Sequence, residues 1–168
     1  MLLVLGIGLG VHSVWPLAPI ADQTLVAKPG GIRGTYYHGE VFERRFFSRV
    51  DQRIDFDTVG AVDPRLEIDH FSIRWRGYIR FPEGGLQRLC SQSDDGARVR
   101  LAGKLVVEDW SDHPARVACG KVRVRAGGWY PLEVEYYDAS SRAFVRLLRG
   151  PDEQHLTPVG PADLCCRQ

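Results

Sequence analysis

At 168 residues, with 44% apolar and 26% charged side chains, the chain is long enough for one globular domain with a real core. A net charge of +1 supplies none of the broad basic surface that nucleic acid or a polybasic membrane contact requires, so no nucleic-acid partner is expected. The cations are 19 Arg against 3 Lys, which admits guanidinium recognition of carboxylate, phosphate or sulfate on one side and plain codon bias on the other.

The first segment, residues 1–21 (MLLVLGIGLGVHSVWPLAPIA), holds no charged side chain apart from a protonated His12. It is apolar enough for a signal peptide or a membrane anchor, although it lacks a basic leader and carries Pro16 and Pro19. Either role places the rest of the chain outside the cytoplasm, secreted or held at a membrane through this segment. Residues 22–30 read as a linker with Lys28, Pro29 and Gly30, residues 31–160 as a β domain and residues 161–168 as a tail. Four cysteines suit an oxidising compartment. Cys90 and Cys119 lie in separate strand-like runs and can bridge them, whereas Cys165 and Cys166 are adjacent and bridge each other only with strain. Their spacing matches no zinc motif.

From Gly31 onward the pattern is strands and turns. FSIRWRGYIRF alternates Phe71, Ile73 and Trp75 against Ser72, Arg74 and Arg76, and Gly77 interrupts it as a candidate bulge. ARVRLAGKLVV reads as a hairpin about Ala102-Gly103-Lys104. After a Gly127-Gly128 turn, Leu132, Val134 and Tyr136 face one way and Glu133 and Glu135 the other. Ala143, Val145 and Leu147 share one side of a last strand. Short strands with Gly and Pro turns, and no helical period after the N-terminal segment, define an all-β chain, an antiparallel β-sandwich or barrel.

Six segments then resemble, in order, the PA-fourteen domain family: GIRGTYY, RVDQRIDFD, DHFSIRWRGYIRFPEGG, SDDGARVRLAGKLVVEDWSDH, AGGWYPLEVEYYD and AFVRLLR, together spanning Gly31 to about Pro158. The resemblance implies a β-sandwich module, commonly attached to other domains, that is not catalytic and whose usual role is carbohydrate binding. In the family's calcium-dependent adhesins, paired aspartates hold Ca2+ across a cis peptide, and the ion touches sugar hydroxyls. Carried over, Asp94 and Asp95 become metal ligands, with Asp138 as the third. The carbonyls near Ser140 and Arg142 are further ligands, and Tyr137 is an aromatic contact for a glycan. Carboxylate oxygens are the hard donors that Ca2+ takes, and a divalent ion offsets the repulsion between neighbouring aspartates. The loop DASSRAF departs from the adhesins in lacking their tryptophan.

Other readings compete with these. Asp-Asp-Gly also suits a plain turn, with Asp side chains bracing the backbone and Gly at positive φ. Asp109, Asp112 and His113 either make a second metal site or cap a turn, with Trp110 in the core. DFDTVG opens like a calcium loop, but Leu66 stands where the bidentate Glu belongs. Arg74, Arg76, Arg98 and Arg100 form an anion-binding face or ordinary solvated positions. Tyr36, Tyr37, Trp75, Trp129, Tyr130, Tyr136 and Tyr137 are mostly core, with one of the last two left exposed. No nucleophile elbow, HExxH or phosphate loop occurs, so no enzyme is expected. The alternative to a glycan-binding module is a structural or protein-interaction domain at the cell surface.

Overall fold

The computed structural model describes residues 16–19 and 29–166. Twelve strands run in chain order: β1 (Ile32–His38), β2 (Arg44–Asp51), β3 (Asp55–Thr58), β4 (Phe71–Arg80), β5 (Gly85–Asp94) and β6 (Ala97–Leu101). Then come β7 (Lys104–Asp109), β8 (Arg116–Val124), β9 (Trp129–Asp138), β10 (Ala143–Gly150), β11 (Thr157–Pro158) and β12 (Leu164–Cys165). They form two sheets, ordered β2-β1-β4-β9-β6-β7 with β12 added on β4, and β11-β10-β5-β8 with β3 added on β10. All pairings between these strands are antiparallel, as expected for short strands joined by tight turns.

The alternation read from the sequence places the core. Phe71, Ile73 and Trp75 of β4, Val134 and Tyr136 of β9 and Val145 of β10 are all essentially buried between the sheets. Ala102 and Gly103, both at positive φ, turn β6 into β7, as a two-residue hairpin requires. Gly77 is no bulge: β4 runs through it unbroken, and a Cβ there would stand 2.3 Å from the Cys165 carbonyl oxygen. The glycine admits β12 instead. The register shifts fall at Tyr36/Tyr37 and Val99/Arg100.

Residues 161–165, expected as a tail, make a short 3-10 turn and then β12, with Leu164 fully buried. Within the expected leader or anchor, Pro16 bridges Arg123, the Leu17 N–H donates to the Arg123 carbonyl at 3.0 Å, and the Leu17 side chain joins the core. The rest of that segment and most of the expected linker, residues 1–15 and 20–28, lie outside the described residues. No helix among the described residues is long and apolar enough to cross a membrane. Cys90 and Cys119 stand opposite each other on β5 and β8 and form a disulfide.

One buried polar node braces the larger sheet. Asp51 accepts hydrogen bonds from the Tyr36 hydroxyl and the Trp75 indole, each at 2.7 Å, and from Arg49 at 2.6 Å. Burial, reinforced by the Asp51 charge, pushes the Tyr36 hydroxyl well above the ordinary tyrosine range.

Candidate functional site

The paired aspartates sit where β5 turns into β6, and the peptide between them is cis. Gly96 comes next, without positive φ. Its role is space, since a Cβ there would lie 2.2 Å from the Tyr137 ring. The Tyr137 N–H donates to the Gly96 carbonyl at 3.0 Å, which closes the turn onto the end of β9. Asp138 is the last residue of β9 and lies in register with Phe71, so the acidic residue just before β4, Asp69, arrives at the same end.

Hydrogen bonds tie these pieces together. Asp95 accepts from the backbone N–H of His113 at 3.1 Å and, with its other oxygen, from Ala139 at 2.9 Å. The Tyr136 hydroxyl donates to the Asp94 carbonyl at 2.7 Å, lies 3.3 Å from Asp138 Oδ1, and accepts from the Phe144 N–H at 3.1 Å. Three loops, after β5, after β7 and after β9, are thereby fixed around the aspartates.

The charge balance at this end is unusual. Asp138 is wholly buried, yet its Oδ2 has no hydrogen-bond partner, and Asp69 Oδ1 is orphaned in the same way. Desolvation first, then the charges of Asp69, Asp95 and Asp94, raise the Asp138 carboxyl to about 7. Burial and the Asp95 charge also push Asp94 upward, partly offset by the Ala115 N–H, His113 and Arg142. Among the described residues, no group of three His, Cys, Asp or Glu side chains is preassembled as a metal centre. The donors are nonetheless of the right kind for Ca2+, hard carboxylate oxygens short of positive partners.

The other residues expected at the site are more scattered. Ser140 and Arg142 lie in the exposed turn between β9 and β10, where Ser141 takes positive φ, and the Arg142 guanidinium pairs with Asp57 of β3. Tyr137 is not exposed, at 5% accessibility, and its hydroxyl donates to Asp112 at 2.6 Å. The loop after β7 covers it: Trp110 packs on its ring at 4.8 Å. Trp110 therefore lies on the outer sheet face and not in the core, under the Arg98 guanidinium at 3.9 Å. Asp109 pairs with Arg116 and His113, and so braces that loop. Asp69 and the His113 N–H could not be found from sequence. Only the β4–β9 register brings Asp69 to Asp138, and a backbone donor leaves no residue signature. Beside Asp69 opens a shallow depression of about 630 Å³, lined by His38, Gly39, Glu67, Ile68, Asp69 and His70.

Two antiparallel sheets, with a clasp of three loops and a surplus of carboxylates at one end, define a β-sandwich. The profile of the PA14 domain, the family that the six segments resemble, matches residues 27–156, and the chain belongs to that family. A curated relative, anti-sigma-I factor RsgI3 of Acetivibrio thermocellus, is 31% identical over 119 residues, which is 70% of this chain and 18% of the relative. A solved anti-sigma factor domain-containing protein matches at a TM-score of 0.79 with 27% identity, over 84% of this chain and 49% of its own. The A domain of epithelial adhesin 6 from Candida glabrata, solved with Galβ1-3GlcNAc, shares the fold at a TM-score of 0.73 and 11% identity, over 92% and 93% of the two chains. The chain thus spans less than a fifth of the curated relative and about half of the solved anti-sigma protein.

Proposed function

We propose that this domain is a non-catalytic, extracytoplasmic binding module that recognises carbohydrate through Ca2+ held at the aspartate loops. The observation that carries the reading is the orphaned, fully buried carboxylate oxygen of Asp138 beside Asp69, Asp94 and Asp95. A buried carboxylate oxygen left unpartnered is costly, and a divalent cation removes the cost. Asp94, Asp95 and Asp138 would hold the ion, with carbonyls of the Ser140–Arg142 turn as further donors. Bound there, Ca2+ supplies open positions for a vicinal diol. The depression beside Asp69 has room for the ring carrying that diol. The glycan-bound adhesin of the same fold supports the ligand class, and the disulfide supports an oxidising compartment. The match to only part of longer anti-sigma proteins fits a module carried within a larger protein.

One observation favours the second reading, a structural or protein-interaction domain. Both Asp95 oxygens already accept backbone N–H groups, so the clasp is braced by protein alone. Calorimetric titration of the full chain with calcium chloride separates the two. Because Leu17 sits in the core, a fragment starting at Gly31 would be a poorer sample. Saturable binding, a higher melting temperature, and loss of both in the Asp94→Ala/Asp95→Ala double variant are expected, together with glycan binding that chelation abolishes. No heat and no shift in melting would leave the aspartates as braces and make the second reading the better one.

A further inference from the structure

The outer face of the larger sheet carries a second feature, distant from the aspartates. Arg33 of β1 pairs in register with Arg76 of β4, Arg76 with Glu133 of β9, and Glu133 with Arg100 of β6. Residues directly opposite across antiparallel strands share a face, so these four side chains form one row. Glu133 is engaged by Arg76 at 2.6 Å and approached by Arg100 at 3.7 Å, while Arg100 also reaches Glu135 at 3.3 Å. Among the described residues, Arg33 has no carboxylate partner. Two like charges directly opposed destabilise a sheet, and the neighbouring row does not relieve them. There Glu135 is already shared by Arg74, Arg98 and Arg100.

The row borders a cavity of about 400 Å³, lined by Arg33, Arg76 and Arg100, by Tyr78 and Pro131, and by Glu133, with Gly77, Gly103 and Leu132 completing it. Its size is that of a small-molecule site, and its lining couples an apolar side to three guanidinium groups against one carboxylate. Along β9 it lies five residues from Asp138, about 17 Å.

We propose that this cavity is a separate binding site for a carboxylate carried on a six-membered ring. The carboxylate sits between Arg33 and Arg76, and the ring lies against Tyr78 and Pro131. A planar, singly charged carboxylate matches the guanidinium fork, and it meets less repulsion from Glu133 than a dianionic phosphate would. Charge attraction across an open cavity makes binding weaken with added salt.

The test is an NMR titration of the full chain with sodium glucuronate, alongside glucose (the ring without the charge), acetate (the charge without the ring) and inorganic phosphate. Saturable shifts with glucuronate are expected at the Arg33 and Arg76 side chains. Acetate and phosphate should bind at least about tenfold more weakly, and glucose should produce no such shifts. Arg33→Ala should weaken glucuronate about tenfold while leaving the melting temperature no lower than that of the wild type and the response to calcium chloride unchanged. Glu133→Gln should strengthen it. An unsaturated response to glucuronate in the wild type, an unchanged curve in Arg33→Ala, or equal affinity for phosphate each overturns the proposal. Because calcium is read separately, failure here leaves the aspartate site untouched, and the converse holds.

Discussion

Asp138 concentrates the chemistry of the aspartate end in one side chain. Its folded value near 7 lies above the ordinary carboxylate value, so the folded state holds the proton more tightly than the unfolded chain does. The stability this group contributes is therefore fully present below about pH 4 and is lost as the pH rises through about 7. In chelator, this carboxylate should make the protein more stable at pH 4.5 than at pH 8, by roughly a few kcal/mol at most. Asp138→Asn should flatten that dependence and raise the melting temperature at pH 8, which differential scanning calorimetry across the pH range measures. With calcium present the order should reverse, the wild type gaining and the variant not. Asp51 is a buried carboxylate of another kind, one whose oxygens are fully hydrogen-bonded. Asp51→Ala would strand the Tyr36 hydroxyl, the Trp75 indole and Arg49, and is expected to cost about 3–5 kcal/mol in denaturant unfolding.

At the scale of elements, the turn after β5 and the β5–β8 pair carry the sharpest expectations. Gly96→Ala drives a methyl into the Tyr137 ring and should destabilise by about 1–3 kcal/mol, with loss of any calcium response because the same turn presents Asp94 and Asp95. Replacing Cys90 and Cys119 by serine should cost about 2–5 kcal/mol, read from the urea midpoint. These elements also show what the sequence made legible. Strand alternation exposed β4, β9 and β10 because each turns an apolar side chain to the core at every second residue, and the two cysteines fell opposite each other in strand-like runs. Asp94, Asp95 and Asp138 were legible only through the resemblance to the PA14 family, and the structure sets Asp94 at the end of β5, Asp95 in the turn after it and Asp138 at the end of β9. Asp69 was not, since it joins them only through strand register. Tyr137 misled because a period of two assigns it to the outer face without saying that Trp110 and Asp112 cover that face. The arginines on the outer face were visible as residues, but their pairing with Glu133 and Glu135 emerges only from cross-strand neighbours.

For the whole molecule, the two poles of the sandwich differ in use. Leu17 against Arg123 of β8, and Gly31 against Leu164, both lie at the pole away from the aspartates, because β5 and β8 run from Gly85 and Val124 there to Ser93 and Arg116 near the clasp. Ten residues of β5 put the poles about 30 Å apart. Fusion of a carrier protein ahead of residue 16 or after residue 166 should leave calcium binding at its wild-type strength. A short Gly-Ser insertion after Ser140 should abolish that binding with the fold intact, a contrast that calorimetry and circular dichroism together resolve.

The same arrangement decides how the domain answers a pull. The chain enters β1 and leaves β12 at one pole, joined there by the Gly30 and Gly31 N–H groups on the Leu164 carbonyl. Tension between these points loads those bonds and the two-residue β12 ladder one after another, as a zipper opens, and does not strain a whole strand at once. β12 should peel away first and at low force. The far pole, with its aspartates, carries no load until the sheet itself gives way.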